Sequence, residues 1–161
     1  MNPLNFDPFA ILPSRKMNRL LVLAIALSLS VAVYATDVTY CDKKKSYSVK
    51  VSKVDIDPYP ISRGNPTTFS FSATSEDTIS DGKMVIDVSY FGWHVHSETH
   101  NLCEETSCPV SGGDFLVSHS QSLPGITPPG SYSLTMKMYD GKKNELTCIN
   151  FGFDIGFLAE S

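Results

Sequence analysis

Positive charge is in short supply in this 161-residue chain: Lys and Arg number 13 against 17 Asp and Glu, for a formal net charge of -4. A field of that sign repels a polyanion, which argues against nucleic acid as a partner. Apolar runs long enough to cross a bilayer are missing as well. The longest, Leu20 to Val33, holds about 14 residues where a spanning helix needs roughly 20. There is no extended helical periodicity, no internal repeat and no low-complexity segment. The 10 Gly and 10 Pro are too few for a collagen-like or disordered chain, and 42% hydrophobic residues suit one globular domain.

Arg15, Lys16 and Arg19 precede the apolar run, and Val33-Tyr34-Ala35 puts small or apolar residues at the -3 and -1 positions of a cleavage site. These features predict a signal peptide over residues 1–35, with Met17 as an alternative start, followed by a domain over residues 36–161. Removing the leader deletes three basic residues and one acidic residue, Asp7, and so lowers the net charge from -4 to -6. The expected destination is secretion or an endomembrane lumen, apoplast or vacuole.

Cysteine is sparse too, and all four residues, Cys41, Cys103, Cys108 and Cys148, follow the leader. Export delivers them to an oxidising compartment where disulfides persist. Four cysteines allow three pairings. The short C-E-E-T-S-C loop brings Cys103 near Cys108, which leaves Cys41 for Cys148. A bridge of that span removes about 4 to 5 kcal/mol of chain entropy from the unfolded state.

What the chain does have is alternation. Tyr47, Val49 and Val51 alternate with Ser48, Lys50 and Ser52, and Phe69 and Phe71 alternate with Thr68 and Ser70. Met84, Ile86, Val88 and Tyr90 follow the same period, as do Tyr132, Leu134, Met136 and Met138 after the Pro128-Pro129-Gly130 turn. Asp140 to Asn144 reads as a hairpin loop, and a phase slip near Cys148 predicts a bulge before Ile149, Phe151 and Phe153. Period two with Pro/Gly punctuation predicts an all-β, immunoglobulin-like antiparallel two-sheet β-sandwich of seven or eight strands. The antibody pattern itself is not met, because Cys41 and Cys148 sit at the ends and Trp93 lies too far from Cys41.

Candidate chemistry is thin. His94, His96, Glu98 and His100 share one strand phase and could ligate zinc or copper. Neither H-E-x-x-H nor the P-C-x-x-C partner of an H-x-E motif accompanies them, so the face reads as a solvated edge and no metal is assigned. Ser118, His119, Ser120 and Asp114 are the residue types of nucleophilic catalysis, but chain neighbours alternate across a strand and no G-x-S-x-G elbow supports them. The chain reads as a non-enzyme without a cofactor. Lys43, Lys44 and Lys45 form a solvated run, and Asn65-Pro66-Thr67 cannot accept a glycan because proline fills its middle position.

The early Cys41, the Cys103-x4-Cys108 loop, T-P-P-G-S-Y-S-L over residues 127–134 and L-T-C-I-N-F-G-F-D-I over residues 146–155 occur together. In this combination the chain resembles a plant ML-domain protein (myeloid-differentiation-related lipid recognition). Those proteins are similar to phosphatidylglycerol/phosphatidylinositol transfer proteins and to the Niemann-Pick sterol carrier. The resemblance implies a sandwich splayed to hold a sterol or a phospholipid acyl chain between its sheets, and the same two disulfides. It departs from many animal members in lacking a third bridge after the first cysteine, where Asp42-Lys43-Lys44-Lys45 stands instead. The expected lining is the apolar strand phase: Phe69, Phe71, Ile86, Val88, Tyr90, Trp93, Val95, Tyr132, Leu134, Met136, Phe151 and Phe153. A monomer that touches membranes transiently is expected; the alternative is a closed-core extracellular interaction module in defence or signalling.

Overall fold

The computed structural model describes residues 34–156. Nine strands are present among them: β1 (Tyr34–Thr36), β2 (Thr39–Tyr40), β3 (Val49–Asp57), β4 (Pro66–Ser75), β5 (Gly82–Tyr90), β6 (Trp93–Asn101), β7 (Gly113–Ser122), β8 (Gly130–Asp140) and β9 (Glu145–Ile155). A single helical turn, α1 (Leu102–Glu105), separates β6 from β7. The expected leader lies outside the described residues except for Tyr34 and Ala35, which pair with Ile56 and Asp55 of β3.

The strands form two antiparallel sheets, ordered β1-β3-β4-β7 and β2-β9-β8-β5-β6. Alternation is the reason they face each other. Val49, Val54, Ile56, Phe71 and Val117 of the first sheet are buried against Met84, Ile86, Met136, Met138, Ile149 and Phe151 of the second. The edge strands β6 and β7 are not hydrogen-bonded to each other, so that side of the sandwich is a seam.

Three bulges reset the alternation. Ser52 is the extra residue of β3, which places Val51 and Val54 on one face although they are three apart. In β9 the extra residue is Leu146, two positions before the slip predicted at Cys148. In β6 it is Val95: Val88 opposes His96, but Ser89 opposes His94.

Turn chemistry follows the sequence closely. Phe91 and Gly92, with φ of 49° and 79°, make the two-residue turn between β5 and β6, whose positive dihedrals match the strand twist. In the β8–β9 loop, the Asp140 carboxylate accepts the backbone N–H groups of Lys142 at 2.9 Å and Asn144 at 2.8 Å. The Asn144 side-chain amide donates to it as well, and this bond is the chief reason its pKa lies below the usual carboxylate value. The Asn101 side chain caps α1 by accepting the Cys103 N–H at 3.0 Å. Cys41 pairs with Cys148 and Cys103 with Cys108, at Cα separations of 5.5 and 5.3 Å.

Candidate functional site: a cavity between the sheets

One half of the sandwich is closed and the other is not. At the end where β5 finishes and β8 begins, the sheets enclose a cavity of about 450 Å³, within the usual range for small-molecule sites. Phe69 of β4 and His119 and Gln121 of β7 form one wall. Ile86, Val88 and Tyr90 of β5, Tyr132 and Leu134 of β8, and Phe153 and Ile155 of β9 form the other. The Leu123–Pro128 segment of the β7–β8 loop lies along the mouth.

Aromatic rings make a continuous surface through this space. Tyr90 stacks on Tyr132 with centroids 4.6 Å apart, Tyr132 stacks on Phe153 at 5.6 Å, and Phe69 meets Phe153 edge-on at 5.7 Å. The two phenols are anchored to the β7–β8 loop, Tyr132 donating to the Pro128 carbonyl at 2.7 Å and Tyr90 to that of Pro129 at 3.1 Å. Burial, with a smaller contribution from Tyr90, pushes the Tyr132 pKa up, so the hydroxyl stays neutral. The cavity surface is mostly hydrocarbon, with His96, Glu98, His119, Gln121, Ser122 and Thr127 as its polar part.

Of the residues expected to line a lipid site, Phe69, Ile86, Val88, Tyr90, Val95, Tyr132, Leu134 and Phe153 border the cavity. Phe71, Met136 and Phe151 do not. They share the right strand phase but lie one or more residues deeper, where Phe71 packs edge-on against Phe151 at 6.0 Å in the closed half. Trp93 is also displaced from the expected wall. It stands beside the hairpin turn on the edge strand β6, with no strand beyond it, and is 79% exposed.

The histidine expectation also changes. His94, His96, Glu98 and His100 do not share a face, because the Val95 bulge turns His94 outward beside Asp87, at 3.8 Å. His96, Glu98 and His100 keep the phase of Val88, Ile86 and Met84 across the pair. Nor is this inner face a wholly solvated edge. Glu98 and His100 are half-buried, and His119, only 4% exposed, reaches Glu98 from the opposite sheet at 3.2 Å. Alternation with the buried Val117 was the signal that His119 points inward.

The same alternation separates the catalytic residue types. Ser118 and Ser120 face outward, opposite Ser70 and Thr68 of β4, and Asp114 accepts the Thr74 hydroxyl, so none of the three joins His119. Lys45 forms an ion pair with Glu145 at 2.7 Å, remote from the cavity lining. The mouth loop was not anticipated as part of the site. Its sequence signal is an isolated apolar residue, Ile126, amid Pro and Gly.

Both the sequence and the sandwich match known proteins. The ML-domain family model aligns with residues 35–155. This chain belongs to the ML-domain family. A provisionally named phosphatidylglycerol/phosphatidylinositol transfer protein of Dictyostelium discoideum is 31% identical over 136 residues, covering 82% of this chain and 94% of its own. The MD-2-related lipid-recognition protein ROSY1 of Arabidopsis thaliana is 29% identical, covering 82% and 85%. Among solved structures, the Niemann-Pick type C2 protein of the Japanese carpenter ant superposes with a TM-score of 0.58 at 17% identity, over 73% of this chain and 99% of its own. Chicken MD-1 complexed with lipid IVa gives 0.51 at 16%, over 75% and 88%. The family is one of lipid-binding and lipid-transfer proteins, and the ML β-sandwich is its fold.

Proposed function

We propose that this ML-domain protein takes the acyl chain of a phospholipid, or a sterol, into the cavity and shields it from water during transfer between membranes. The observation that carries this reading is the apolar cavity between Phe69 on one sheet and Leu134 and Phe153 on the other. A sixteen-carbon chain gains on the order of 12 kcal/mol by leaving water for such a space, before the entropy of ordering it. The closed-core interaction module expected as the alternative does not account for an opening of this size. No catalytic group is required, because binding and release move the lipid without breaking a bond.

Membrane contact fits the same end of the molecule. Phe91, Trp93 and Ile126 are 76%, 79% and 92% exposed, on the β5–β6 turn and the mouth loop. Aromatic and aliphatic side chains of this kind enter the headgroup boundary of a bilayer. Docked this way, the cavity mouth faces the lipid it loads. The protein acts as a monomer in the secretory or extracellular space, where its two disulfides persist. Leader removal after Ala35 leaves Thr36 as the remaining residue of β1, and amino-terminal sequencing of the exported protein locates the cut.

The reading is tested by extraction. Protein is incubated with vesicles of phosphatidylcholine containing phosphatidylglycerol, phosphatidylinositol or cholesterol, separated by sedimentation, and its soluble fraction is assayed for lipid. One lipid recovered per chain supports the reading and identifies the class. No lipid recovered from any vesicle overturns it.

A further inference from the structure

The seam between β6 and β7 is bridged by a cluster of titratable side chains, two of which, Glu98 and His119, also border the cavity, and lipid carriage gives it no role. Two imidazoles, His100 from β6 and His119 from β7, lie with ring centroids 4.4 Å apart. Glu98 of β6 flanks one side of the pair and Glu105 of α1 the other. On the Glu105 side, its Oε1 lies 3.3 Å from His119 Nδ1 and 3.5 Å from His100 Nδ1. On the Glu98 side, Oε1 lies 3.2 Å from His119 Nε2 and Oε2 lies 3.4 Å from His100 Nε2.

The two sides are chemically different. His119 Nδ1 and Glu105 are in hydrogen-bond contact, and since a carboxylate accepts, this contact suits the tautomer with the proton on Nδ1 and the lone pair on Nε2. The two Nε2 atoms are buried and make no hydrogen bond, although Glu98 is close. Buried polar atoms without partners are uncommon, and two aimed at one carboxylate call for a common occupant.

We propose that Glu98, His100 and His119 bind one divalent transition-metal ion of the zinc type, clamping the two sheet edges together beside the cavity. Their ligand atoms all lie within 4.8 Å of one another. Tetrahedral zinc with bonds of 2.0–2.1 Å sets its ligands about 3.3 Å apart, close to the 3.2 Å from His119 to Glu98 Oε1 and the 3.4 Å from His100 to Glu98 Oε2. Two imidazoles and a carboxylate suit zinc, copper or nickel better than calcium or magnesium, which prefer all-oxygen sites. Glu105 plays the orienting role that carboxylates take behind metal-bound histidines. Three protein donors leave the fourth tetrahedral position to water.

The test uses the full exported chain, stripped of metal with a chelator and desalted. Zinc chloride is titrated by calorimetry, cobalt chloride by visible absorption, and thermal melts are recorded with and without zinc. One ion per chain is expected, with a tetrahedral cobalt spectrum and a melting temperature several degrees higher when zinc is present. His100→Ala and Glu98→Gln should each weaken binding at least tenfold and abolish the thermal shift. Both residues are only half-buried, so these variants are chosen over any change at His119. His94→Ala, on the outer face, should bind like the parent. Absence of binding with zinc at a hundredfold excess over protein overturns the proposal, as does binding that survives both His100→Ala and Glu98→Gln.

Discussion

Tyr90 and Tyr132 stack across the β5–β8 pair at 4.6 Å, and each donates its hydroxyl to the carbonyl of a proline in the β7–β8 loop, so that neither hydroxyl is left without an acceptor. This arrangement makes two amphipathic side chains behave as hydrocarbon toward a ligand. It also ties the loop to the sheet. Tyr132→Phe removes the bond to Pro128 and leaves that carbonyl short of a partner, at a cost of about 1 kcal/mol. Urea denaturation should show that loss, while lipid uptake is retained because the ring face is unchanged.

Trp93 separates docking from binding. Its side chain is exposed beside the mouth and does not border the cavity. Trp93→Asp should slow lipid transfer between vesicles several-fold and reduce vesicle sedimentation, with affinity for a lipid monomer in solution unchanged. Equal losses in transfer and in monomer affinity would place Trp93 in the binding site instead.

The two disulfides should contribute unequally. Cys41 and Cys148 are 107 residues apart in sequence and Cys103 and Cys108 only 5. Chain-entropy arithmetic gives about 4.8 kcal/mol for the long loop and about 2.2 for the short one. Replacing Cys41 and Cys148 by Ser should therefore lower the urea midpoint roughly twice as far as replacing Cys103 and Cys108. Equal shifts would contradict the loop-length argument.

Acid sensitivity has an identifiable source on the outer face. Asp87 accepts the Ser97 hydroxyl at 2.6 Å, and Lys137 and His94 lie close by, so its pKa falls below the usual carboxylate value, with the serine bond the largest cause. A carboxylate held lower in the folded state stabilises above its unfolded pKa, near 3.9. That contribution is lost as pH falls through the folded value. Asp87→Asn should flatten the decline in stability below about pH 4, measured as urea midpoints against pH. An unchanged slope would remove Asp87 from the account.

Strand phase, turns and the short disulfide could be read from residue order because each is local: alternation in Tyr132 to Met138, the Pro-Pro-Gly turn, the tight Cys103–Cys108 loop, which leaves Cys41 for Cys148 by elimination. The boundary between cavity and closed core could not. Phe69 and Phe71 have the same phase and the same chemistry, yet one borders the cavity and the other packs against Phe151. Only the divergence of the sheets distinguishes them, and that arises from long-range packing. The bulge in β6 was hidden for a related reason, unlike the one in β9, which the phase slip near Cys148 marks. Val95 continues the apparent alternation of β6, so nothing in the sequence marks where His94 leaves the face of His96. Residue order sets His119 between Ser118 and Ser120, whereas its neighbours in space, Glu98, His100 and Glu105, come from β6 and α1.

The most direct test of the cavity as the lipid site is native mass spectrometry of the exported protein beside its Leu134→Trp variant, both exposed to the same phospholipid vesicles. Leu134 borders the cavity and is buried, so an indole at that position occupies the space a lipid needs. The expected result is one lipid per chain in the parent and none in a variant whose circular dichroism is unaltered. A parent that emerges lipid-free, or a folded variant that carries as much lipid as the parent, would contradict the account.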